Sequence, residues 1–263
     1  MCGICGIYNI NSEPINKEYL LKMGKLIHHR GPDDEGYLLV NTTEKKITHC
    51  HAEDTIEEFK STLPYILSDF DANIGLGFRR LSIIDLSAAG HQPMTDFDKR
   101  CWIVFNGEVY NYLEIKSELL ELGYKFKSET DTEVIINAYL QWGKECVKRF
   151  NGMFSIALWD TEKEILFCAR DRMGVKPFYY SFDGKQFVWG SEIKQLIKSG
   201  IIDSKVNYNN VYNYLMMSRL NVDKNSFFEN ITELPPAHIM EVSAKGIKIE
   251  NYWDIDENKT LTG

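Results

Sequence analysis

The residue of this sequence with the clearest capacity for chemistry is Cys2, which stands directly behind Met1 in the stretch MCGICGIYNI. If Met1 is removed, as a small second residue permits, Cys2 carries a thiol and a free α-amine on one carbon atom. The ordinary pKa values of these groups are about 8.5 and about 8, so the amine can accept the thiol proton near neutral pH, directly or through water. Cys2 is therefore a candidate nucleophile that needs no histidine as its base.

Other interpretations of this stretch are open. Cys2 and Cys5 form a Cys-x-x-Cys pair, but redox pairs of this kind stand at a strand-to-helix turn, whereas this pair opens an apolar run. In a strand, positions 2 and 5 also point to opposite faces. A zinc site would need more ligands, and the consecutive His49, Cys50 and His51 cannot readily face one tetrahedral ion, so we predict no metal site. Taken alone, MCGIC favours two ordinary buried cysteines.

The composition excludes several classes of function. The chain has 263 residues, 44% of them hydrophobic, which is enough for a sizeable core. Its formal net charge of -8 argues against a nucleic-acid or anionic-membrane partner, because either needs clustered Lys and Arg. No stretch approaches the roughly 18 apolar residues that cross a bilayer. We therefore expect a cytoplasmic protein with small polar ligands, no nucleic acid, no membrane, and reduced thiols for its six cysteines.

The elements that must position the thiol begin with a strand over residues 2–10, dense in apolar residues and suited to the centre of a sheet. Leu20, Met23 and Ile27 then recur at the spacing of a helix. After a short strand, residues 41–73 are polar and acidic with no clear period, which indicates a long surface excursion.

Strands resume at residues 74–82 and 101–105. The second of these ends abruptly at Asn106 and Gly107, because Asn-Gly is a strong turn signal. Apolar residues at helical spacing predict a helix from Tyr112 to Gly123, and a second helix begins near Asp131.

The segments FSIALWD, EILFCAR, FYYSF and FVWG follow, joined by short polar turns, and predict a β meander. After residue 200 the sequence pattern changes. It first predicts a polar helix, and the segments ELPPAHIMEV and IKIENYWDI then predict a short β ribbon. That tail is too small to fold alone. Because strands and helices occur in separate blocks, we expect helices packed outside antiparallel sheets.

Eight motifs occur in one order along the chain: MCGICGIYN, HHRGPDDEG, RRLSIIDLS, HQPM, FNGEVYN, SETDTEVI, FNGMFSIALWD and ARDRMGVKPFYY. In this order they resemble the glutaminase domain of the glutamine-hydrolysing asparagine synthetases, a branch of the class II glutamine amidotransferases. The resemblance covers nearly all of residues 1–200 apart from 41–73. HRGPD with RLSIID resembles this branch rather than glucosamine-6-phosphate synthase or the first enzyme of purine synthesis.

The resemblance implies an α+β N-terminal-nucleophile hydrolase fold with four α/β/β/α layers, two stacked antiparallel sheets between helical layers. It also implies a reaction in which glutamine and water give glutamate and ammonia. Residues 1–200 would form the glutaminase domain. Residues 201–263 would form a linker and the start of a missing synthetase domain.

By resemblance, the Cys2 thiolate attacks the carboxamide carbon of glutamine. The tetrahedral oxyanion then needs donors already in place. Asn106, through its side-chain amide, and Gly107, through its backbone N–H, would supply them from a tight turn at the strand end. Without the resemblance, Asn106-Gly107 indicates a plain turn.

Also by resemblance, Arg80 would hold the α-carboxylate of glutamine through its planar guanidinium. Backbone groups of Leu81, Ile83 and Ile84 would line the pocket. The neighbouring Arg79 alternates to the other strand face, where we expect a solvated charge.

Asp131 and Glu108 would complement the α-ammonium of glutamine. Ser128 and Asp131 also have the spacing of a capping box, so Asp131 could serve a helix start regardless of any ligand. A further set of charged residues is assigned to shaping the loops around the site, and His91 to a structural role. The set comprises His29, Arg30, Asp33, Asp171, Arg172 and Lys176.

The expected partners are L-glutamine and an ammonia-accepting synthetase domain or partner protein, with a homodimer left open. No cofactor is expected in this chain. ATP and Mg would belong only to the synthetase domain, whose SGGxDS loop does not occur in the sequence. The ammonia acceptor is aspartate by resemblance, or another acid or sugar. Two alternatives are a non-catalytic or regulatory module of the same fold and a Cys-x-x-Cys redox protein.

Overall fold

The computed structural model describes residues 1–83, 85, 87–218 and 225–255. Within these residues, thirteen strands form two antiparallel sheets. In chain order the strands are β1 (Gly3–Asn9), β2 (Asp34–Asn41), β3 (Lys46–Cys50), β4 (Ile74–Arg80), β5 (Met94–Thr95), β6 (Cys101–Val109), β7 (Gly152–Asp160), β8 (Ile165–Arg170), β9 (Tyr179–Phe182), β10 (Gln186–Gly190), β11 (Thr232–Glu233), β12 (His238–Ser243) and β13 (Gly246–Asn251).

The helices lie between these strands. In chain order the α-helices of the described residues are α1 (Lys17–Leu26), α2 (Glu57–Lys60), α3 (Tyr112–Glu121), α4 (Asp131–Trp142), α5 (Ile193–Lys198) and α6 (Tyr208–Met217). Short 3-10 turns cover His28–Arg30, Ala88–Gly90 and Gly143–Lys148. The predicted helices after Asn111 and at Asp131 are confirmed.

The seven-stranded sheet has the order β11-β9-β10-β1-β4-β2-β3, and the six-stranded sheet has the order β13-β12-β8-β7-β6-β5. β1 is the middle strand of the first sheet, as its apolar sequence predicts. It pairs with β10 on one side and with β4 on the other. The segment that follows Cys2 is therefore held by hydrogen bonds along both edges.

Three apolar layers show how the elements stack. One layer joins the two sheets and contains Tyr8 of β1 and Trp159 of β7. A second layer packs α1 and α5 on the outer face of the first sheet. A third packs α3 and α4 on the outer face of the second sheet. The expected α/β/β/α architecture is confirmed.

Alternation along β1 decides where its two cysteines point. Ile4 and Tyr8 contribute to the layer between the sheets, and Cys2 packs against the same layer. Cys5 and Ile7 contribute to the layer beneath the helices. Cys2 and Cys5 therefore lie on opposite faces of the strand.

The prediction that a strand ends at Asn106-Gly107 is wrong. β6 runs through both residues to Val109, with Asn106 opposite Ser155 and Gly107 opposite Phe154 of β7. The local preference of Asn-Gly for a turn is overridden because β7 pairs with β6 along its whole length. Tertiary pairing commonly overrides such local preferences.

The four segments predicted as one meander are strands, but they belong to two sheets. β7 pairs with β8 in the second sheet, and β9 pairs with β10 in the first. The loop that contains Asp171 and Lys176 carries the chain from one sheet to the other, so it passes across the end of the sandwich. Short strands joined by loops do not reveal this change from sequence, because each strand has the same pattern in either sheet.

Residues 41–73 are more than a surface excursion, which corrects that prediction. β3 pairs with β2 at the edge of the first sheet, and Cys50 and Ile66 are fully buried. Thr55 Oγ1 also donates a hydrogen bond of 2.8 Å to the carbonyl of Glu35. The segment lacks a clear period because its strand is short and its remaining contacts come from isolated residues.

The predicted ribbon after residue 235 is confirmed as β12 and β13, and it is joined to the rest of the fold. β12 pairs with β8, and β11 pairs with β9. Within the described residues the carboxyl-terminal segment thus extends both sheets. A division of the chain at residue 200 stays a prediction.

Candidate active site

A cavity of about 170 Å³ opens at one end of the two sheets. It lies where Cys2 precedes β1, where β4 ends at Arg80, and where β6 passes Asn106 and Gly107. The start of α4 supplies a further wall through Asp131. The cavity therefore brings together residues that are about 130 positions apart in the sequence.

Cys2 is held in this wall by backbone contacts. Its Sγ accepts a hydrogen bond from the N–H of Leu81 at 3.3 Å, and Arg30 Nε donates to the Cys2 carbonyl at 3.0 Å. Burial raises the pKa of the Cys2 thiol above its ordinary value. The Leu81 N–H, the terminal amine of Met1 and the charges of Arg80 and Lys176 act in the opposite direction. The site thus contains groups that favour the thiolate form of Cys2 although the side chain is largely buried.

The other cysteines differ from Cys2. Cys5 is fully buried, and burial raises the pKa of its thiol to about 12. All six cysteines are free, and five of them are buried while Cys2 is partly exposed. Reactivity follows thiolate character and access, so Cys2 is the thiol available for chemistry.

Asn106 lines the cavity and carries a hydrogen-bond donor, its Nδ2, that has no partner among the described residues. Its side chain is almost completely buried. Leaving a buried amide donor unpaired costs about 1–3 kcal/mol. A group that accepts from Nδ2 inside the cavity would recover that cost.

The N–H of Gly107 faces the same side of β6 as two occupied N–H groups. Phe105 N donates to Gln92 Oε1 at 2.7 Å, and Val109 N donates to Asp131 Oδ2 at 3.0 Å. Because alternate residues of an antiparallel strand direct their N–H groups to the same side, the N–H of Gly107 points between these two contacts.

The strand opposite Gly107 does not take this N–H. Its partner Phe154 directs its own N–H away, to Asp171 Oδ2 at 3.2 Å. A Cβ on Gly107 would lie 2.2 Å from the carbonyl oxygen of Met153. Only glycine therefore allows β6 and β7 to approach this closely and keeps the donor directed at the cavity.

Arg80 also lines the cavity, with its guanidinium fixed by the loop that follows it. Nη1 donates to the carbonyl of Ser87 at 2.8 Å, and Nη2 donates to the carbonyl of Asp85. Gly90 lies against the guanidinium, since a Cβ there would be 2.1 Å from Nη2. The positive charge is held in place without a carboxylate partner among the described residues.

Of the three other residues expected to line the pocket beside Arg80, Leu81 and Ile83 line the cavity, and the side chain of Ile83 is exposed. Ile84 lies outside the described residues.

Asp131 and Glu108 line the cavity as well. Burial raises the pKa of Asp131 to about 6, and the nearby Glu108 acts in the same direction. The predicted capping box is displaced. Thr130 is the N-cap of α4 and accepts from the N–H of Glu133, whose carboxylate accepts from the N–H and hydroxyl of Ser128. Asp131 is thereby free of the capping role.

Arg79 is not a solvated charge, which corrects that prediction. Its side chain is 1% exposed and forms ion pairs with Glu35 at 3.0 Å and Asp54 at 2.7 Å. Arg79 does face away from Arg80 as expected, but α1 covers that face, and Nε donates to the carbonyl of Gly24. Burial of the outer face could not be inferred from alternation alone.

Two residues that the sequence analysis did not place in the site line its cavity. Gln92 donates from Nε2 to Thr132 Oγ1 at 3.2 Å while its Oε1 holds β6 at Phe105. Lys176 is 5% exposed and extends into the cavity from the loop between β8 and β9. Both residues belong to motifs that carry the family resemblance, HQPM and ARDRMGVKPFYY, so the polar residues of those motifs were the available signal.

His29 and Arg30 are held by a residue that is distant in the sequence. Glu192 accepts from Arg30 Nη1 at 3.1 Å and contacts His29 Nε2 at 2.9 Å. His91 is buried, with Nδ1 2.6 Å from Asp34 Oδ2.

The described residues contain no group of three His, Cys, Asp or Glu side chains arranged to bind a metal ion. In the same part of the chain, no helix has the length and apolar character needed to span a membrane.

His49, weighed above as a zinc ligand, contacts His91, with 3.2 Å between their Nε2 atoms, and burial lowers the pKa of His49 to about 3.

Comparison with known proteins gives a consistent result. The sequence pattern of a family described as "Glutamine amidotransferase domain" matches residues 66–253. A Methanocaldococcus jannaschii protein assigned by name to the glutamine-hydrolyzing asparagine synthetases is 37% identical over 99% of this chain and 48% of its own length. Asparagine synthetase [glutamine-hydrolyzing] 3 of Bacillus subtilis is 30% identical over 98% of this chain and 38% of its own length. The chain spans about half the length of these curated relatives, or less.

The fold is similar to that of a solved structure, the glutamine phosphoribosylpyrophosphate amidotransferase of Bacillus subtilis in complex with ADP and GMP. The TM-score is 0.71 over 96% of this chain and 49% of that one, at 17% identity. This likeness concerns the fold alone.

Proposed function

The chain belongs to the class II glutamine amidotransferase domain family, and from this premise we propose that it hydrolyses L-glutamine to glutamate and ammonia with Cys2 as the nucleophile. One observation carries the proposal. The Cys2 thiol, the unpartnered Nδ2 of Asn106 and the cavity-side N–H of Gly107 meet at one small cavity. A nucleophile beside two free donors is the arrangement that acyl transfer requires.

Binding of glutamine follows from the charges of the cavity. The guanidinium of Arg80 donates hydrogen bonds to the α-carboxylate of glutamine, and the carboxylates of Asp131 and Glu108 accept hydrogen bonds from its α-ammonium. The amino-acid end of the substrate is then held at both charges. The side-chain carboxamide is the part left to reach Cys2.

The reaction proceeds in two halves. The Cys2 thiol gives its proton to the α-amine, the sulfur bonds to the carboxamide carbon, and the carbonyl oxygen takes negative charge beside Asn106 and Gly107. Collapse of this intermediate breaks the C–N bond, and the proton held by the amine leaves with ammonia. Water then attacks the thioester, the amine takes a proton from it, and the C–S bond breaks to release glutamate. No step uses a metal or a cofactor.

Met1 must be removed for this base to exist, because the amine of Cys2 is otherwise part of a peptide bond. Met1 also lines the cavity, so a chain that keeps it narrows the substrate site. This contact supports a second candidate, a non-catalytic module of the same fold, for a protein that retains Met1. The Cys-x-x-Cys alternative receives no support, since Cys2 and Cys5 lie on opposite strand faces.

The names of the relatives suggest a use for the ammonia. We propose that it passes to a synthetase domain or partner protein, with aspartate as the acceptor and ATP and Mg bound only there. These proposals rest on relatives that are longer than this chain.

The deciding experiment is the intact mass of the purified chain before and after exposure to 6-diazo-5-oxo-L-norleucine, a glutamine analogue that alkylates such nucleophiles. We expect a chain without Met1 that gains one adduct. The adduct should map to Cys2, disappear in Cys2→Ala, and form more slowly when excess glutamine is present. A chain that lacks Met1, is folded, and gains no adduct would contradict the proposal. A chain that retains Met1 and gains none would favour the non-catalytic candidate.

A further inference from the structure

The charged side chains that line the cavity around Cys2 differ in whether they have hydrogen-bond partners. The cavity is lined by Arg80, Asp85, Glu108, Asp131 and Lys176. Three of them have fixed partners, since Arg80 donates to the carbonyls of its loop, Asp85 accepts from the N–H of Ser87, and Asp131 accepts from the N–H of Val109.

Glu108 and Lys176 are different. Among the described residues, neither side chain takes part in a hydrogen bond or an ion pair within the usual distances, although Lys176 is 5% exposed. Burial lowers the pKa of the Lys176 ammonium, and the charge of Glu108 acts in the opposite direction. A largely buried lysine side chain that has no ion-pair partner requires a reason in the site itself.

The loop that carries Lys176 is built to hold it there. The carboxylate of Asp171 accepts from the N–H groups of Val175 at 2.9 Å and Lys176 at 2.9 Å. The side chain of Arg170 also binds this loop. Its Nε donates to the carbonyl of Lys176 at 2.8 Å, and its Nη2 donates to the carbonyl of Gly174 at 2.7 Å. The backbone of Lys176 is thus anchored through both its N–H and its carbonyl, which directs the side chain into the cavity.

The charge balance of the cavity indicates what this ammonium does. Without Lys176, the carboxylates of Asp85, Glu108 and Asp131 face the guanidinium of Arg80 and the terminal ammonium, and a thiolate at Cys2 would add another negative charge. Nearby Arg30 does not relieve this, because it is paired with Glu192. Bound glutamine is a zwitterion and leaves the sum unchanged. The negative charges then outnumber the positive ones by two, so a further cation lowers the cost of ionising Cys2.

We propose that Lys176 is this cation and that its positive charge, across the cavity, stabilises the thiolate form of Cys2. The negative charge of Glu108 acts against the thiolate. The proposal rests on the proposed role of Cys2 as nucleophile. Ionisation releases one proton from the thiol to the α-amine or to water, and Lys176 remains protonated. A lysine suits this task because its charge is compact and does not impose a planar pairing geometry. The positive charge of Lys176 acts toward a lower pKa of the Cys2 thiol.

The test is the pH dependence of Cys2 alkylation by iodoacetamide, followed by intact mass on the chain lacking Met1. The other cysteines are buried, so the native protein reports Cys2 alone. Replacing Lys176 by Met should move the midpoint of the rate profile up by about one pH unit or more, which lowers the rate at pH 7 about 10-fold. Lys176→Arg should restore most of the rate. Lys185→Met, an exposed lysine in a turn, is the matched control and should leave the profile unchanged.

A Lys176→Met profile that overlays the wild type, in a protein with an unchanged circular dichroism spectrum, would overturn the proposal. If that variant does not fold, Glu108→Gln gives a second test, because removing the opposing carboxylate should lower the midpoint. A midpoint that stays or rises would also overturn it. Alkylation needs no glutamine turnover, so an inactive glutaminase with a profile that depends on Lys176 would refute the proposed function alone.

Discussion

Asp131 Oδ2 accepts a hydrogen bond of 3.0 Å from the backbone N–H of Val109, which joins the first residue of α4 to β6 two residues beyond Gly107. The contact fixes the carboxylate at the cavity wall and occupies the N–H next in line after that of Gly107. One side chain thus sets the helix against the strand and presents a negative charge to the substrate site.

Asp131 predicts a dependence of stability on pH. Its pKa is about 6 in the folded protein, above the ordinary 3.8, so between these values the folded state binds more protons than the unfolded state. Stability contributed by this group therefore falls as pH rises from about 4 to about 6, by about 3 kcal/mol, since one pKa unit corresponds to about 1.4 kcal/mol.

Asp131→Asn should remove this loss. The unfolding free energy of the variant, minus that of the wild type, should increase across the same pH window in urea titrations. The KM for glutamine should also rise about 10-fold or more at pH 7.5, because the charge-assisted contact to the ammonium is lost. A stability difference that is constant from pH 4 to pH 7 would show that Asp131 does not titrate in this way.

Asn106 predicts a loss confined to the chemical step. In Asn106→Ala, kcat should fall about 100-fold to 1,000-fold with little change in KM, the effect of removing one oxyanion donor. Asn251→Ala, at the exposed end of β13, serves as control and should retain full activity. A loss that appears mainly in KM would assign Asn106 to substrate binding rather than to the oxyanion.

Arg79 predicts a large loss of stability at a position away from the chemistry. Arg79→Met leaves the fully buried carboxylate of Glu35 without its cation, and breaking such a pair costs about 3–5 kcal/mol. Lys60→Met breaks the pair with the exposed Glu57 and should cost less than about 1 kcal/mol. Equal effects in urea titrations of the two variants would contradict the buried network.

Gly90 and Arg80 predict a shared effect on glutamine binding. A Cβ at position 90 would displace the guanidinium, so Gly90→Ala and Arg80→Met should each raise KM about 10-fold or more. The double variant should be hardly worse than Arg80→Met, because both changes act through one group. Additive losses in the double variant would mean that Gly90 acts by another route.

Much of this protein could be read from the order of its residues. Apolar spacing located β1, α1, α3 and α4, because burial of one face imposes a period that local sequence records. The alternation of side chains along β1 places Cys2 and Cys5 on opposite faces, which the sequence alone predicts. Eight ordered motifs indicated the family and named every cavity residue that the proposed mechanism uses.

The tertiary structure decided what local pattern could not. Asn106-Gly107 has the signature of a turn, yet pairing with β7 keeps both residues in β6 and leaves the Gly107 N–H directed at the cavity. Arg79 is buried because α1 covers its face, and Lys176 lines the same cavity as Cys2 because its loop crosses between the sheets. Each of these outcomes depends on which distant segment packs against the residue, and such long-range partners leave no period in the neighbouring sequence.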